Sequence, residues 1–333
     1  MKGLPDGANR IDGWHPACGA RVGHAQVGEA PTGCTVVLLD APAPYAALAS
    51  GGGPSTRQVS ALHPHHAVTT ADAFLVVGGS AYGLDAAGGV LRWLEAKGRG
   101  TQVGRMRVPA VPTAAVFDLF VAGTVRPDAS TGAAACDAAT ADGVLEGRVG
   151  AGAGATVGKI LGIDFASWGG VGTASVELAG GLVVSAVAVV NAFGNVHGFD
   201  GGACVAGARD GAGGFVDVEA AIGAGAFTAR RRELEREASE GGNTTIGVVV
   251  TNGRLDPGAC GRAAVLVSQA LPMCIHPCQT AVDGDTVFVA STGTVEAEAH
   301  QVGLAGREAL ARAIVRAVTA GRRDGPEFPA RRS

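Results

Sequence analysis

Short apolar, β-rich runs alternate with amphipathic stretches along this chain. Cys34 to Leu39 and Phe74 to Val77 are runs of apolar and β-branched residues bounded by turn formers, and they predict strands. Between Tyr82 and Lys97, Leu84, Ala87, Leu91 and Leu94 recur at helical spacing while Arg92, Glu95 and Lys97 lie off that stripe. This predicts a helix with one buried face. Val171 to Leu178 and Leu182 to Val190 flank Gly180-Gly181 as a hairpin, and the second strand is so uniformly apolar that both of its faces should be covered. A glycine-rich segment runs from Gly194 to Gly214, and Arg230 to Glu237 is a charged run without an apolar stripe, a solvated helix or connector. After Gly241-Gly242 the chain turns apolar again. Ile246 to Val250 predicts a buried strand, and Asp256-Pro257 an N-cap with proline at the first helical position. Thr286 to Ala290 predicts another strand, and Arg307 to Val318 a last helix stopped by Gly321. The mixture predicts an α+β (α/β layered) fold without repeats or heptads.

Composition narrows the classes. The chain has 333 residues, 47% hydrophobic and 17% charged, enough apolar material for a real core and too much for a disordered chain. Its 54 glycines follow no period of three, which excludes collagen. A net charge of −4 gives no electrostatic footprint for nucleic acid or an anionic membrane surface. The least charged stretch, Leu178 to Phe199, is interrupted by Gly180, Gly181, Asn191 and Gly194 and does not read as a spanning helix. The N-terminus shows no apolar signal region, so a soluble, cytoplasmic protein with reduced cysteines is expected. Cys274-x-His276-x-Cys278 lacks a second ligand pair and contains Pro277, so no metal is expected there. His63, His65 and His66 lie in a proline-containing loop and are expected to be solvated.

The junction Gly242-Asn243-Thr244-Thr245-Ile246 carries the most chemistry. It runs from charged, glycine-bearing chain into a buried strand and presents Thr244 at its lip. A threonine hydroxyl is a weak nucleophile without an adjacent base, and one solution is to make it an N-terminus whose own α-amine is that base. The amine's free pKa of ~7.7–8.0 suits the task, but the preceding peptide bond must first break. The same residues also read as a plain turn entering a strand. Lys159 is one of three lysines against 23 arginines and sits among small residues, Gly150 to Ile160. That favours a role for a compact ammonium. The segment fits neither a phosphate loop nor a dinucleotide fingerprint. Asn191 ends the most apolar strand, as an oxyanion donor or as a turn cap. Asp283 and Asp285 open another strand and point the same way if extended, to orient a hydroxyl or ammonium or simply to form a turn.

Together with Arg21-Val22-Gly23-His24, Thr32 to Val36, Gly78-Gly79-Ser80-Ala81-Tyr82-Gly83-Leu84-Asp85-Ala86-Ala87, Val111 to Leu119 and Gly152 to Lys159, these blocks make nearly the whole chain resemble a known family. It is that of the N-terminal-nucleophile peptidases, which includes L-aminopeptidase/D-amidase/esterases, β-aminopeptidases and nylon-oligomer (6-aminohexanoate oligomer) hydrolases. The resemblance implies an αββα sandwich in a single domain that cuts itself between Asn243 and Thr244, giving an α-chain 1–243 and a β-chain 244–333. It implies Thr244 as nucleophile, Lys159 beside it, Asn191 at the oxyanion, and Asp283 and Asp285 orienting the nucleophile. It further implies a small peptide, amide or ω-amino acid oligomer as substrate, no cofactor or metal, no nucleic-acid or membrane partner, and a homotetramer. Nylon-oligomer hydrolases carry a tyrosine where this chain has Phe117, so a pocket hydroxyl is lost. Gly79 and Ser80 precede a helix, where backbone N–H groups could meet a substrate carboxylate or carbonyl, or simply pack a tight turn. Two other readings stay open: an acyltransferase similar to the ornithine acetyltransferases, and an uncleaved scaffold of the same fold.

Overall fold

Leu182–Asn191, the most apolar run, is a strand buried along its whole length. It lies at the centre of the computed structural model, which describes residues 4–5, 7–59, 69–199, 201–226 and 242–320. The histidines at 63, 65 and 66, the charged run 230–237 and Gly321 lie outside the described residues. Ten strands form the main sheet system: β1 (Asn9–Asp12), β2 (Ala20–Gln26), β3 (Gly33–Ala49), β4 (Thr56–Arg57), β5 (Thr70–Val77), β6 (Thr113–Ala115), β7 (Gly170–Leu178), β8 (Leu182–Asn191), β9 (Thr244–Arg254) and β10 (Thr286–Glu296). Their order is β1-β7-β8-β9-β10-β3-β5-β6-β4, with β2 also paired to β3. The long β3 serves two layers. Its Cys34–Leu38 half pairs with β2 and β5, and its Tyr45–Ala49 half pairs with β10. Between the halves, Asp40, Ala41 and Pro42 are exposed and the register shifts.

Alternation along the strands sorts the side chains into three cores. Val187, Val189, Ile246, Val248 and Phe288 face Val37, Phe74 and Val76, which packs the two sheets against each other. The opposite face, with Val184, Val190, Val287 and Val289, packs on helices that contribute Val267, Leu310 and Ile314. On the far side Val36, Leu38, Leu75 and Val77 meet Val90, Leu94 and Ala135. With helices α1 (Ala87–Ala96) and α2 (Ala129–Asp137) on one side and α3 (Pro257–Ser268) and α4 (Ala299–Thr319) on the other, the layers are helix, sheet, sheet, helix. The fold is therefore the α+β sandwich that the pattern and the resemblance imply.

Most expected elements appear, several of them extended. Asp256 caps α3 by accepting from the Ala259 N–H at 2.6 Å, with Pro257 at the first position. The last helix begins at Ala299, eight residues before the apolar stripe suggests, behind a capping box of Glu298 and Gln301. Gly303 and Gly306 interrupt the sequence pattern there because α4 lies tight against Leu266 and Val267. The glycine-rich segment contributes Asn195–His197 and Cys204–Ala206 to a small sheet with Ile275–His276. Cys274 is buried with its Sγ toward the Ala311 carbonyl, and the His276 ring stacks on His197 at 4.7 Å. Among the described residues no three His, Cys, Asp or Glu side chains converge as metal ligands, and no helix is long and apolar enough to cross a membrane.

Candidate active site

Three strand ends bring the candidate residues together. Antiparallel pairing of β8 with β9 sets Asn191 directly opposite Thr244. Parallel pairing of β9 with β10 carries Asp283 alongside Asn243 just before both strands begin. Lys159 arrives from a loop after the short strand Thr156–Val157. Its neighbour Gly158 has φ of +76°, and a Cβ there would lie 1.9 Å from the Ala208 backbone nitrogen, so only glycine fits. That turn lets the Lys159 N–H donate to the Phe193 carbonyl at 2.9 Å and lays the lysine stem along Asn191.

Thr244 is buried at 4% exposure. Its Oγ1 donates to the carbonyl oxygen of Asn243, the residue before it, at 2.5 Å. The same oxygen accepts the Gly284 N–H at 2.6 Å, shorter than the usual 2.9–3.0 Å of such bonds. A Cβ on Gly284 would stand 2.8 Å from Thr244 Oγ1 and 2.9 Å from the Gly53 carbonyl, so the close approach needs glycine. The Thr245 N–H leaves the ladder and donates to Asp285 Oδ1 at 2.6 Å.

Lys159 Nζ donates to the Asn191 carbonyl at 2.8 Å, to Asn191 Oδ1 at 3.0 Å and to the Ala192 carbonyl at 3.3 Å. Three acceptors for three protons is an arrangement built for an ammonium. Burial nevertheless lowers its pKa to about 7, against the opposing pull of Asp283 and Asp285. Asn191 Oδ1 also accepts the Thr156 N–H at 2.9 Å, and its Nδ2 donates to the Phe117 carbonyl at 2.9 Å. Asp283 accepts from the Thr280 N–H at 3.0 Å and from its hydroxyl at 2.5 Å, with the Phe193 N–H at 3.4 Å on its other oxygen. Asp285 accepts the Gln279 N–H at 2.9 Å on Oδ2. Burial raises the pKa of both carboxyls, and the Asp283 charge helps to push Asp285 up to about 7. A buried hydroxyl, an ammonium and two weakly acidic carboxyls can together support acyl transfer at the Asn243–Thr244 junction.

The weaker candidates lie nearby in different roles. The half-buried Phe117 meets Phe120 in a tilted ring contact with centroids 5.0 Å apart, and its Cβ is 2.9 Å from where a Cβ on Gly242 would stand. The Gly79 N–H donates to Asp118 Oδ1 at 2.7 Å and the Ser80 N–H to the Val116 carbonyl at 3.0 Å, so both amides are occupied within the protein. Gly284, Thr280 and Gln279 escape a reading of the sequence. The last sits at φ of +56° and reaches Ser50 Oγ with its Nε2 at 3.0 Å. Their backbone N–H groups and the tight turn they share do much of the work, and only the polar, glycine-bearing string from Gln279 to Asp285 hints at them.

A family model for peptidase family S58 matches residues 17–325. An uncharacterized aminopeptidase of Mycobacterium tuberculosis is 40% identical over 296 residues, covering 83% of this chain and 80% of that protein. A 6-aminohexanoate-oligomer endohydrolase of Kocuria sp. is 31% identical over 290 residues, covering 84% of this chain and 74% of that protein. Among solved structures, a β-aminopeptidase of Burkholderia sp. matches with a TM-score of 0.63 at 20% identity, covering 94% of this chain and 89% of its own. The L-aminopeptidase D-Ala-esterase/amidase of Ochrobactrum anthropi, a variant of the Ntn hydrolase fold, matches at 0.61 and 16% identity, covering 96% and 88%. These last two likenesses speak for the fold.

Proposed function

The chain belongs to peptidase family S58 and is a hydrolase of peptide or amide bonds, and we propose that it activates itself by cutting the Asn243–Thr244 bond. In the first phase Thr244 Oγ attacks the Asn243 carbonyl carbon. The C–N bond breaks, the hydroxyl proton ends on the departing nitrogen, and an ester joins Asn243 to Thr244 Oγ. Water then opens the ester and leaves the Asn243 carboxyl and a β-chain that starts at Thr244.

In the second phase Thr244 turns over external amides. Its freed α-amine takes the hydroxyl proton as Oγ attacks the substrate carbonyl, then passes a proton to the leaving amine, and water releases the acyl group. Lys159 beside the nucleophile lowers the pKa of that amine as a cation. Asn191 stabilises the substrate oxyanion, and Asp283 and Asp285 orient the nucleophile's neighbourhood through Phe193 and Thr245. The substrates are small peptides, amino acid amides or ω-amino acid oligomers, in keeping with relatives named as an aminopeptidase and a 6-aminohexanoate-oligomer endohydrolase. The processed αβ units assemble as a homotetramer.

The observation that supports this reading best is the buried Thr244 hydroxyl, 2.5 Å from the carbonyl oxygen of its own preceding residue. A denaturing gel with intact mass measurement tests it. Active protein should show two chains that meet at Asn243 and Thr244, and hydrolyse aminoacyl anilides. Active protein that runs as one unbroken 32.8 kDa chain sinks the proposal.

A further inference from the structure

Resting on the self-cleavage reading above, we propose that the backbone N–H of Gly284 is the oxyanion donor for the cut between Asn243 and Thr244. As the Oγ–C bond forms, the carbonyl π pair moves onto the Asn243 oxygen, which then carries a full negative charge inside a water-poor site. Two donors reach that oxygen: the Thr244 hydroxyl at 2.5 Å and the Gly284 N–H at 2.6 Å. The hydroxyl is the attacking group and surrenders its proton, so the Gly284 N–H is the one that stays. Collapse of the tetrahedral centre then breaks the C–N bond, delivers the proton to nitrogen and returns the pair to the carbonyl.

Three neighbouring donors are aimed at other acceptors. Lys159 directs its donors to Asn191 and Ala192, Asn191 Nδ2 to Phe117, and the Thr245 N–H to Asp285. Gly284 in contrast is held on both sides. The Gly53 N–H donates to the Asp283 carbonyl at 2.9 Å, the Ser50 N–H to the Asp285 carbonyl at 2.9 Å, and the Thr286 hydroxyl to the Gly284 carbonyl at 3.0 Å. A dipole fixed in this way needs no reorganisation as charge develops, which is what makes such donors effective. The missing side chain matters equally, because any Cβ at 284 would press on the attacking oxygen. The flanking carboxyls would oppose an oxyanion if fully charged, but burial raises the pKa of both.

The decisive experiment replaces the 283–284 amide by an ester, with glycolic acid incorporated at position 284 in place of glycine. This deletes the N–H and adds no atom near Thr244. The expected result is self-cleavage slowed by ~10²–10³, the usual effect of losing one oxyanion donor. Cleavage at the rate of the unmodified protein overturns the assignment while leaving self-cleavage intact. A second measurement does not depend on how the ester variant folds. In uncut Thr244→Ala protein, the Gly284 amide proton should resonate far downfield and show a through-bond coupling to the Asn243 carbonyl carbon, and absence of that coupling overturns the assignment. Should unmodified protein never cleave, self-activation fails together with this assignment, and the gel of the unmodified protein alone reveals it.

Discussion

Asn191 ends β8 directly opposite Thr244, the first residue of β9, and Lys159 is clamped to Asn191 through both its backbone carbonyl and its Oδ1. Both strands are buried on both faces, so a slip of one residue would drive every side chain into the wrong core. The core thus fixes where Asn191, with the Lys159 ammonium clamped to it, stands relative to Thr244. Replacing Lys159 by Met strands three acceptors and removes the cation. Self-cleavage and anilide hydrolysis should both slow by at least ~10²-fold, read from band conversion on gels and from released aniline. Lys159→Arg should not rescue either rate, because a planar guanidinium cannot meet three acceptors gathered around one nitrogen.

Thr244 itself separates chemistry from fold. Thr244→Ser keeps a hydroxyl beside Asn243 O and should still cut. Thr244→Ala should leave one chain of 32.8 kDa with no hydrolytic activity. Two bands from the alanine variant would mean that another group cleaves the junction.

Gly284→Ala isolates crowding from hydrogen bonding, since it keeps the N–H but puts a methyl 2.8 Å from Thr244 Oγ1 and 2.9 Å from the Gly53 carbonyl. Both contacts are closer than real Cβ atoms tolerate, and one neighbour is backbone. The hydroxyl must therefore turn away, and cleavage should slow while the protein still folds. Intact mass measured over a time course distinguishes slow cutting from none.

The layers and the main strands are legible in the sequence because periodicity reports burial directly. Leu182 to Val190 announces a strand covered on both faces, and the Asp256-Pro257 cap announces its helix. Thr244, Lys159, Asn191, Asp283 and Asp285 are legible as chemical types. Their meeting point is a matter of register, parallel between β9 and β10 and antiparallel between β8 and β9, which no local pattern encodes. The Gly284 N–H is invisible for the same reason: it is a backbone group, and its partner lies 41 positions away in sequence. Gly79 and Ser80 show the converse. A tight turn before a helix suggests free amides, and long-range partners, Asp118 and Val116, occupy them.

The buried carboxyl of Asp285 should make stability depend on pH with a definite sign. Its pKa rises from 3.8 to about 7 on folding, so between these values the folded chain holds a proton that the unfolded chain has released. Stability from this group therefore falls as pH rises through that window. In uncut Thr244→Ala protein, adding Asp285→Asn should remove this part of the fall. The stability difference between variant and parent should grow from pH 4 to 7 and then level off in urea melts. Lys159 acts in the opposite sense. Its pKa drops from 10.5 to about 7, so its contribution rises with pH between those values, and Lys159→Met should abolish that rise. A difference between Asp285→Asn and parent that does not vary with pH would show that Asp285 is ionised throughout.

We expect Phe117 to link the site to substrate choice. Its backbone carbonyl holds Asn191 Nδ2 at 2.9 Å, while its half-buried ring lies against Gly242, two residues before Thr244, and meets the Phe120 ring at a tilt. The two functions are separable, because a change of ring leaves the carbonyl in place. Phe117→Tyr adds only a hydroxyl to the ring, the one that the resemblance to nylon-oligomer hydrolases leads us to expect at this position. A hydrogen bond matched to a substrate amide discriminates far more strongly than an added methylene, since the analogue without it leaves a polar group unpaired. Hydrolysis of 6-aminohexanoate oligomers should therefore rise relative to that of an aminoacyl anilide, with self-cleavage proceeding as before. The two kcat/KM values measured side by side decide the matter, and an unchanged ratio would remove Phe117 from the substrate pocket.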